Sequence, residues 1–202
     1  MVKKVVFDAL SDNCIYNIRE TICPELVQAI KDKRDIVILC VGTDRSTGDS
    51  LGPIVGDKLK FLVRDKVFIY GNLETPVHAK NISDTYEFII NNRSNPFIIA
   101  VDASLGNLQN VGKVIIESKP LSPGLALNKN LPKVGDLTIT GVVNISGSLE
   151  FIVLQNTRLY IVMKLAEIIA SGLYHSILKT IGGRKSSFDD NISDIQELIK
   201  ID

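Results

Sequence analysis

Net charge is missing from this sequence: 23 Lys and Arg stand against 23 Asp and Glu over 202 residues. No dense basic cluster is present either, so the field that draws a protein to nucleic acid or to an acidic membrane is absent. Cysteine is scarce and unpaired: Cys14, Cys23 and Cys40 make an odd count without a C-x-x-C. That excludes a disulfide framework and a cysteine zinc site, and it suits a reducing cytosol. The opening "MVKKVVFDALSDNC" lacks the apolar core of a signal peptide. The most apolar long segment, 151–178, is interrupted by Arg158, Lys164 and Glu167. It therefore predicts a core helix and no membrane span.

Two nucleotide signatures are also lacking. "GTDRSTGDS" (42–50) has one residue too many between its glycines for a P-loop, and Asp49 stands where the phosphate-binding lysine would be. A carboxylate there would repel phosphate at a helix start. No G-x-G-x-x-G exists for a dinucleotide, and no G-x-S-x-G elbow for a serine hydrolase.

What remains is an alternating pattern. Residues 12–31 carry helical spacing with Pro24 expected to bend or split it. The unbroken apolar runs 35–42, 66–72 and 96–103 predict buried strands, separated by helical patterns at 50–63 and 81–92. Such strands pair in parallel with helices on both faces. Residues 112–118 and 135–144 predict two more strands, a single helix over 150–178 follows, and 182–202 reads as a polar tail or docking helix. The expectation is one α/β domain over 1–202, a three-layer sandwich around a mostly parallel sheet, with a helical lead-in over 1–34.

Loops leaving the carboxyl ends of parallel strands share one edge. Asp49 follows the first strand and Asp102 ends the third; with strand order 2-1-3 they meet. Two carboxylates in one crevice split their acidities, so one activates water while the other stays protonated and polarises a carbonyl. A helix N-terminus beside Asp49 favours its charged form and makes it the expected base. The plainer alternative is a helix cap at Asp49 and a loop-bonding carboxylate at Asp102. His78 joins the same edge as a third group, a metal ligand with the two aspartates, or a loop histidine. His175 reads as structural, and Arg158 as a buried anchor or a crevice residue. Cys40 reads as packing.

Five blocks, "GTDRSTGDSLGP", "PVHAKN", "IIAVDASLG", "SPGLALNKNLPKVGDLTITGVVN" and "EFIVLQNTRL", lie in order between Val37 and Ser171. On these the chain resembles the YyaC-type sporulation proteins of endospore-forming bacteria, described as spore proteases. More distantly it is similar to the germination protease and to the hydrogenase-maturation endopeptidases. The resemblance implies their α/β fold, an aspartate-dependent peptidase activity on peptide or spore-protein substrates, and a cytoplasmic place in the sporulating cell, forespore or spore. It maps the two functional aspartates onto Asp49 and Asp102. Gly42, Thr43, Gly48, His78, Asn128 and Asp136 are expected to bind substrate or shape the loops. No cofactor is expected; a divalent metal at Asp49, His78 and Asp102 and a homo-oligomer are further expectations. The competing reading is a non-catalytic regulator or peptide-binding protein on the same fold.

Overall fold

Along the segment Ile36–Cys40, residues 36, 38 and 40 enter one apolar cluster and residues 37 and 39 another. A strand whose side chains alternate between two cores must lie inside a sheet covered on both faces. The computed structural model describes residues 4–62, 64–122 and 133–182. Its elements are β1 (Val5–Asp8), α1 (Cys14–Lys31), β2 (Ile36–Cys40), α2 (Leu51–Leu59), β3 (Val67–Tyr70), α3 (Ile82–Asn92), β4 (Phe97–Gly106), β5 (Lys113–Glu117), β6 (Leu137–Ile145), α4 (Glu150–Gln155) and α5 (Leu159–Ile181). Short 3-10 turns cover Gly48–Ser50 and Leu108–Asn110.

Six strands form one sheet in the order β1-β5-β6-β4-β2-β3. The run β6-β4-β2-β3 is parallel; β5 and β1 add antiparallel pairs at one edge. The fold is therefore α/β with a mostly parallel sheet, and β2 lies between β3 and β4 as the 2-1-3 order requires. α1, α2 and α5 share the larger core, with Ile18, Ile22, Leu26, Leu51, Val55, Leu165 and Ile169 buried in it. Ile82 and Ile89 of α3 belong to the smaller core on the opposite face. Burying each such side chain stabilises the fold by roughly 1.5–3 kcal/mol before entropy is counted.

Three expectations are corrected. Residues 5–8 are not part of a helical lead-in but a strand paired with β5. Pro24 lies inside α1 without ending it. The expected helix over 150–178 is two helices, divided at Asn156–Arg158, where the Thr157 hydroxyl donates back to the Val153 carbonyl. α5 has the length and apolarity of a membrane span, yet Val162, Leu165, Ile169, Leu173 and Ile177 are buried in the larger core. The tail 183–202 and Asn128 lie outside the described residues.

The sheet edge is stepped. β4 runs five residues past the last β2 pair, Cys40 with Val101, and keeps pairing with β6, with a bulge between Ser104 and Leu105. Asp102 is the first β4 residue with no β2 partner. α2 closes the step from above. Gly52 and Gly56, one turn apart, lie against the backbones of Val41 and Gly71 so closely that neither position has room for a Cβ.

Candidate active site

Val41 continues β2 by donating its amide to the Val101 carbonyl at 2.7 Å. Gly42 then turns the chain at φ +141°, in the region that favours glycine. Its amide bonds the Val77 carbonyl at 2.8 Å, and the Thr43 amide bonds the Asp49 carbonyl at 3.1 Å. The loop 42–49 is thus folded back on itself. Asp49 sits in the 3-10 turn before α2, and Ser50 occupies the helix cap position. Asp49 is therefore not the cap of α2, which removes half of the plainer alternative.

Strand β2 sends its connection to α2 and β3, while β4 sends its own to β5 on the other side. The crevice between them is the switch point where open α/β sheets place ligands. Asp49 and Asp102 both lie there, partly buried, with the charge of Asp49 felt at Asp102. Burial pushes the Asp49 carboxyl above its ordinary range, against the opposing pull of the Thr43 amide and of His78. Burial raises Asp102 much further, and the charge of Asp49 adds to that, outweighing the Ala103 amide that donates to Asp102 Oδ1 at 2.8 Å. Two like charges out of water disfavour each other, and the larger upward shift falls on the deeper group. Asp102 is thus the more strongly raised of the two carboxyls.

His78 is held beside this pair. Its own amide bonds Asn81 Oδ1 at 2.8 Å, Val77 bridges Val41, and the ring Nδ1 accepts the Lys80 amide at 3.3 Å. The imidazole influences Asp49 electrostatically. Among the described residues no group of three or more His, Cys, Asp or Glu converges as a set able to hold a metal ion. Asp49, His78 and Asp102 thus form an electrostatic group without ligand geometry.

Gly48 shapes the turn by packing. A Cβ there would approach Leu154 Cδ2 at 2.8 Å and Thr157 Oγ1 at 2.9 Å. Its bareness lets the turn pack on α4, and at Gly42 the space is taken by Asp49 and Pro53. Both glycines shape the loop by the chain's own packing, the loop-shaping half of what was expected of them. α4 is in turn tied down by Asn144, whose amide donates to Thr157 Oγ1 at 3.2 Å and to the Val153 carbonyl at 3.4 Å. Asn144 and Thr157 are site-supporting residues that the sequence did not single out; only the end-of-strand position of Asn144 could have marked it.

Asp136 does not belong here. It lies just before β6 at the opposite sheet edge, where Oδ1 pairs with Arg34 at 2.8 Å and Oδ2 accepts the Ile98 amide at 2.9 Å. Its role is to clamp the start of β2 to β4 and β6, beside a depression lined by Arg34, Tyr86, Pro96 and Gly135. Arg158 is exposed, its guanidinium 5.4 Å from the Tyr160 ring centre. His175 is exposed against Tyr174 and is no core residue. Cys40 is fully buried, and burial drives its thiol pKa far up, as packing requires.

Comparison with known proteins adds the following. Residues 7–172 match the model of a family described as "Protein of unknown function (DUF1256)". Over 140 residues, 69% of this chain and 68% of the other, the sequence is 53% identical to the uncharacterized protein YyaC of Bacillus subtilis (strain 168). A crystal structure of the NiFe hydrogenase maturation protease HycI from Thermococcus kodakarensis KOD1 is similar at 21% identity and a TM-score of 0.47. That likeness covers 77% of this chain and 99% of that one.

Proposed function

Starting from the DUF1256 family, to which this chain belongs, we propose that it is a polypeptide hydrolase whose reacting groups are Asp49 and Asp102. The observation that carries this reading is the pair itself: a carboxyl from the turn that follows β2 and one from the neighbouring parallel strand β4, both raised by burial, with the charge of Asp49 felt at Asp102. Ionised Asp49 takes a proton from a water, whose oxygen attacks the peptide carbonyl carbon. The Asp102 hydroxyl donates a hydrogen bond to the carbonyl oxygen and stabilises the negative charge that develops there. Collapse of the tetrahedral intermediate breaks the C–N bond, and the proton held by Asp49 leaves with the amine. No cofactor enters this scheme.

The substrates are polypeptides, spore proteins first among them, met in the cytoplasm of the sporulating cell, the forespore or the spore. The resemblance in the motif blocks supports this setting. Purified protein incubated with a spore-protein extract and read by mass spectrometry is expected to produce new termini. Asp49→Asn and Asp102→Asn should each lower the rate by at least about 100-fold while folding normally. Cleavage that survives both substitutions removes the aspartates from the chemistry. A second reading, a peptide-binding regulator without turnover, is favoured by His78, whose ring Nδ1 is occupied by the Lys80 amide. It predicts peptide capture, lost in the same variants, with no new termini at all.

A further inference from the structure

β4 outruns its neighbour on one side only. Its last pair with β2 is Val101 with Cys40, whereas it pairs with β6 as far as Gly106. Val101 turns its carbonyl toward β2, accepting the Val41 amide at 2.7 Å. Gly106 turns its carbonyl the other way and accepts the Ser146 amide, just past β6, at 2.8 Å. Main-chain groups of successive strand residues face opposite neighbours. Residues 102, 104 and 106 therefore face β6, and Ala103 and Leu105 face the side that β2 has left. Residues 102–106 are all partly exposed.

The Ala103 amide has a partner on that side, Asp102 Oδ1 at 2.8 Å. A carboxyl that meets this amide has swung round to the free edge of the strand. No hydrogen bond from another described residue reaches the Ala103 carbonyl or the Leu105 amide there. The side chains of Ala103 and Leu105 pack on the larger core, so neither stands in the way of the edge. An open row of this kind takes an extended chain, whose own N–H and C=O groups complete the ladder.

Resting on the hydrolase reading, we infer that the substrate polypeptide binds as an added strand beside residues 103–105 of β4, in the place that β2 vacates. Its main chain bonds the Ala103 carbonyl and the Leu105 amide, and the Asp102 carboxyl at the same edge meets the main chain of the bound segment. Recognition through N–H and C=O leaves the side chains free to vary. The substrate class is therefore unfolded or extended polypeptide of no fixed sequence, and folded domains are refused.

Fluorescence anisotropy with reduced, carboxymethylated lactalbumin, a chain kept unfolded, supplies the binding probe. The parent protein should bind it, and native disulfide-bonded lactalbumin should compete at least about tenfold more weakly. Leu105→Pro removes the outward amide and no bond to β6, and should weaken binding at least about tenfold. Leu105→Ala trims the same side chain but keeps the amide, and should stay within about threefold of the parent. In the parent chain, the Leu105 amide should exchange faster than those of Ser104 and Gly106 and slow at least about tenfold when the probe is added. That reading depends on no variant. An unfolded probe that does not bind overturns the proposal, as do equal binding by the two folded Leu105 variants or a Leu105 amide unprotected at saturation. Binding of this kind without new termini from the spore-protein extract removes the hydrolase reading and leaves the strand site. New termini formed equally fast by Leu105→Pro and the parent remove the strand site alone.

Discussion

A methyl group at position 42 would run into the Asp49 carbonyl and crowd Pro53 Cδ at 3.0 Å, on a backbone held at φ +141°. Gly42→Ala is therefore expected to cost about 2–4 kcal/mol, read from urea unfolding as a lower midpoint at unchanged slope. The aspartates give a second prediction, with opposite sign. Asp102 holds its proton more tightly folded than unfolded, where its pKa is near the ordinary 3.8. Between those two values the native state binds the extra proton, so stability falls as pH rises. Asp102→Asn lacks an ionisation to suppress. It should melt above the parent near pH 7, with the gap closing as pH drops toward 4, in thermal melts across that range. A reacting group that weakens its own fold is the usual trade between activity and stability. At this scale the sequence was informative about carboxylates and poor about glycines. Asp49 and Asp102 could be found because strand ends have a known edge. For Gly42 and Gly48 the sequence left substrate binding and loop shaping open, and the atoms that fill their missing side chains supply the second. Asp136 was misplaced because the motif block around it looked like groove lining. Only the strand register shows that it lies just before β6 at the far edge.

Helices and strands were legible wherever the pattern was long. The three parallel strands and the two helices between them follow from apolar runs and periodicity, while their order was assumed as the common 2-1-3 and is the one observed. β1 escaped because four residues with alternating exposure carry too little pattern to separate from a helix start. The break between α4 and α5 escaped for a different reason. Its cause is tertiary: Thr157, buried against Gly48 and held by Asn144, fixes the corner. Pro24 sits on the exposed side of α1, where its ring deprives the helix of one amide without disturbing the core. Pro24→Ala restores the donor to the Glu20 carbonyl. It should raise stability by roughly 1–3 kcal/mol, measured by urea unfolding, and slow amide exchange across residues 20–28. An unchanged midpoint would mean that the helix has already relaxed around the proline.

On the scale of the whole molecule, the first helix and the last are each other's main support. α1 and α5 cross where Gly172 meets Ile18, and a Cβ at 172 would come within 2.9 Å of Ile18 Cβ. Gly172→Val should force the helices apart and lower stability by about 1–3 kcal/mol in denaturant unfolding, with Ile18→Ala recovering part of the loss. Unchanged stability would show that the crossing can shift freely.

That crossing also sets a timetable. α1 finds its packing partner in residues 159–181, and β1 finds its own in 113–116. On a ribosome releasing the chain from its amino end, the first thirty residues emerge long before either partner exists. The parallel strands and α2 and α3 can assemble meanwhile, but the greasy side of α1 stays wet until residues 159–181 have emerged. The newborn chain is therefore most exposed to chaperones and to sticking along α1, and the arrival of α5 is what ends that vulnerability.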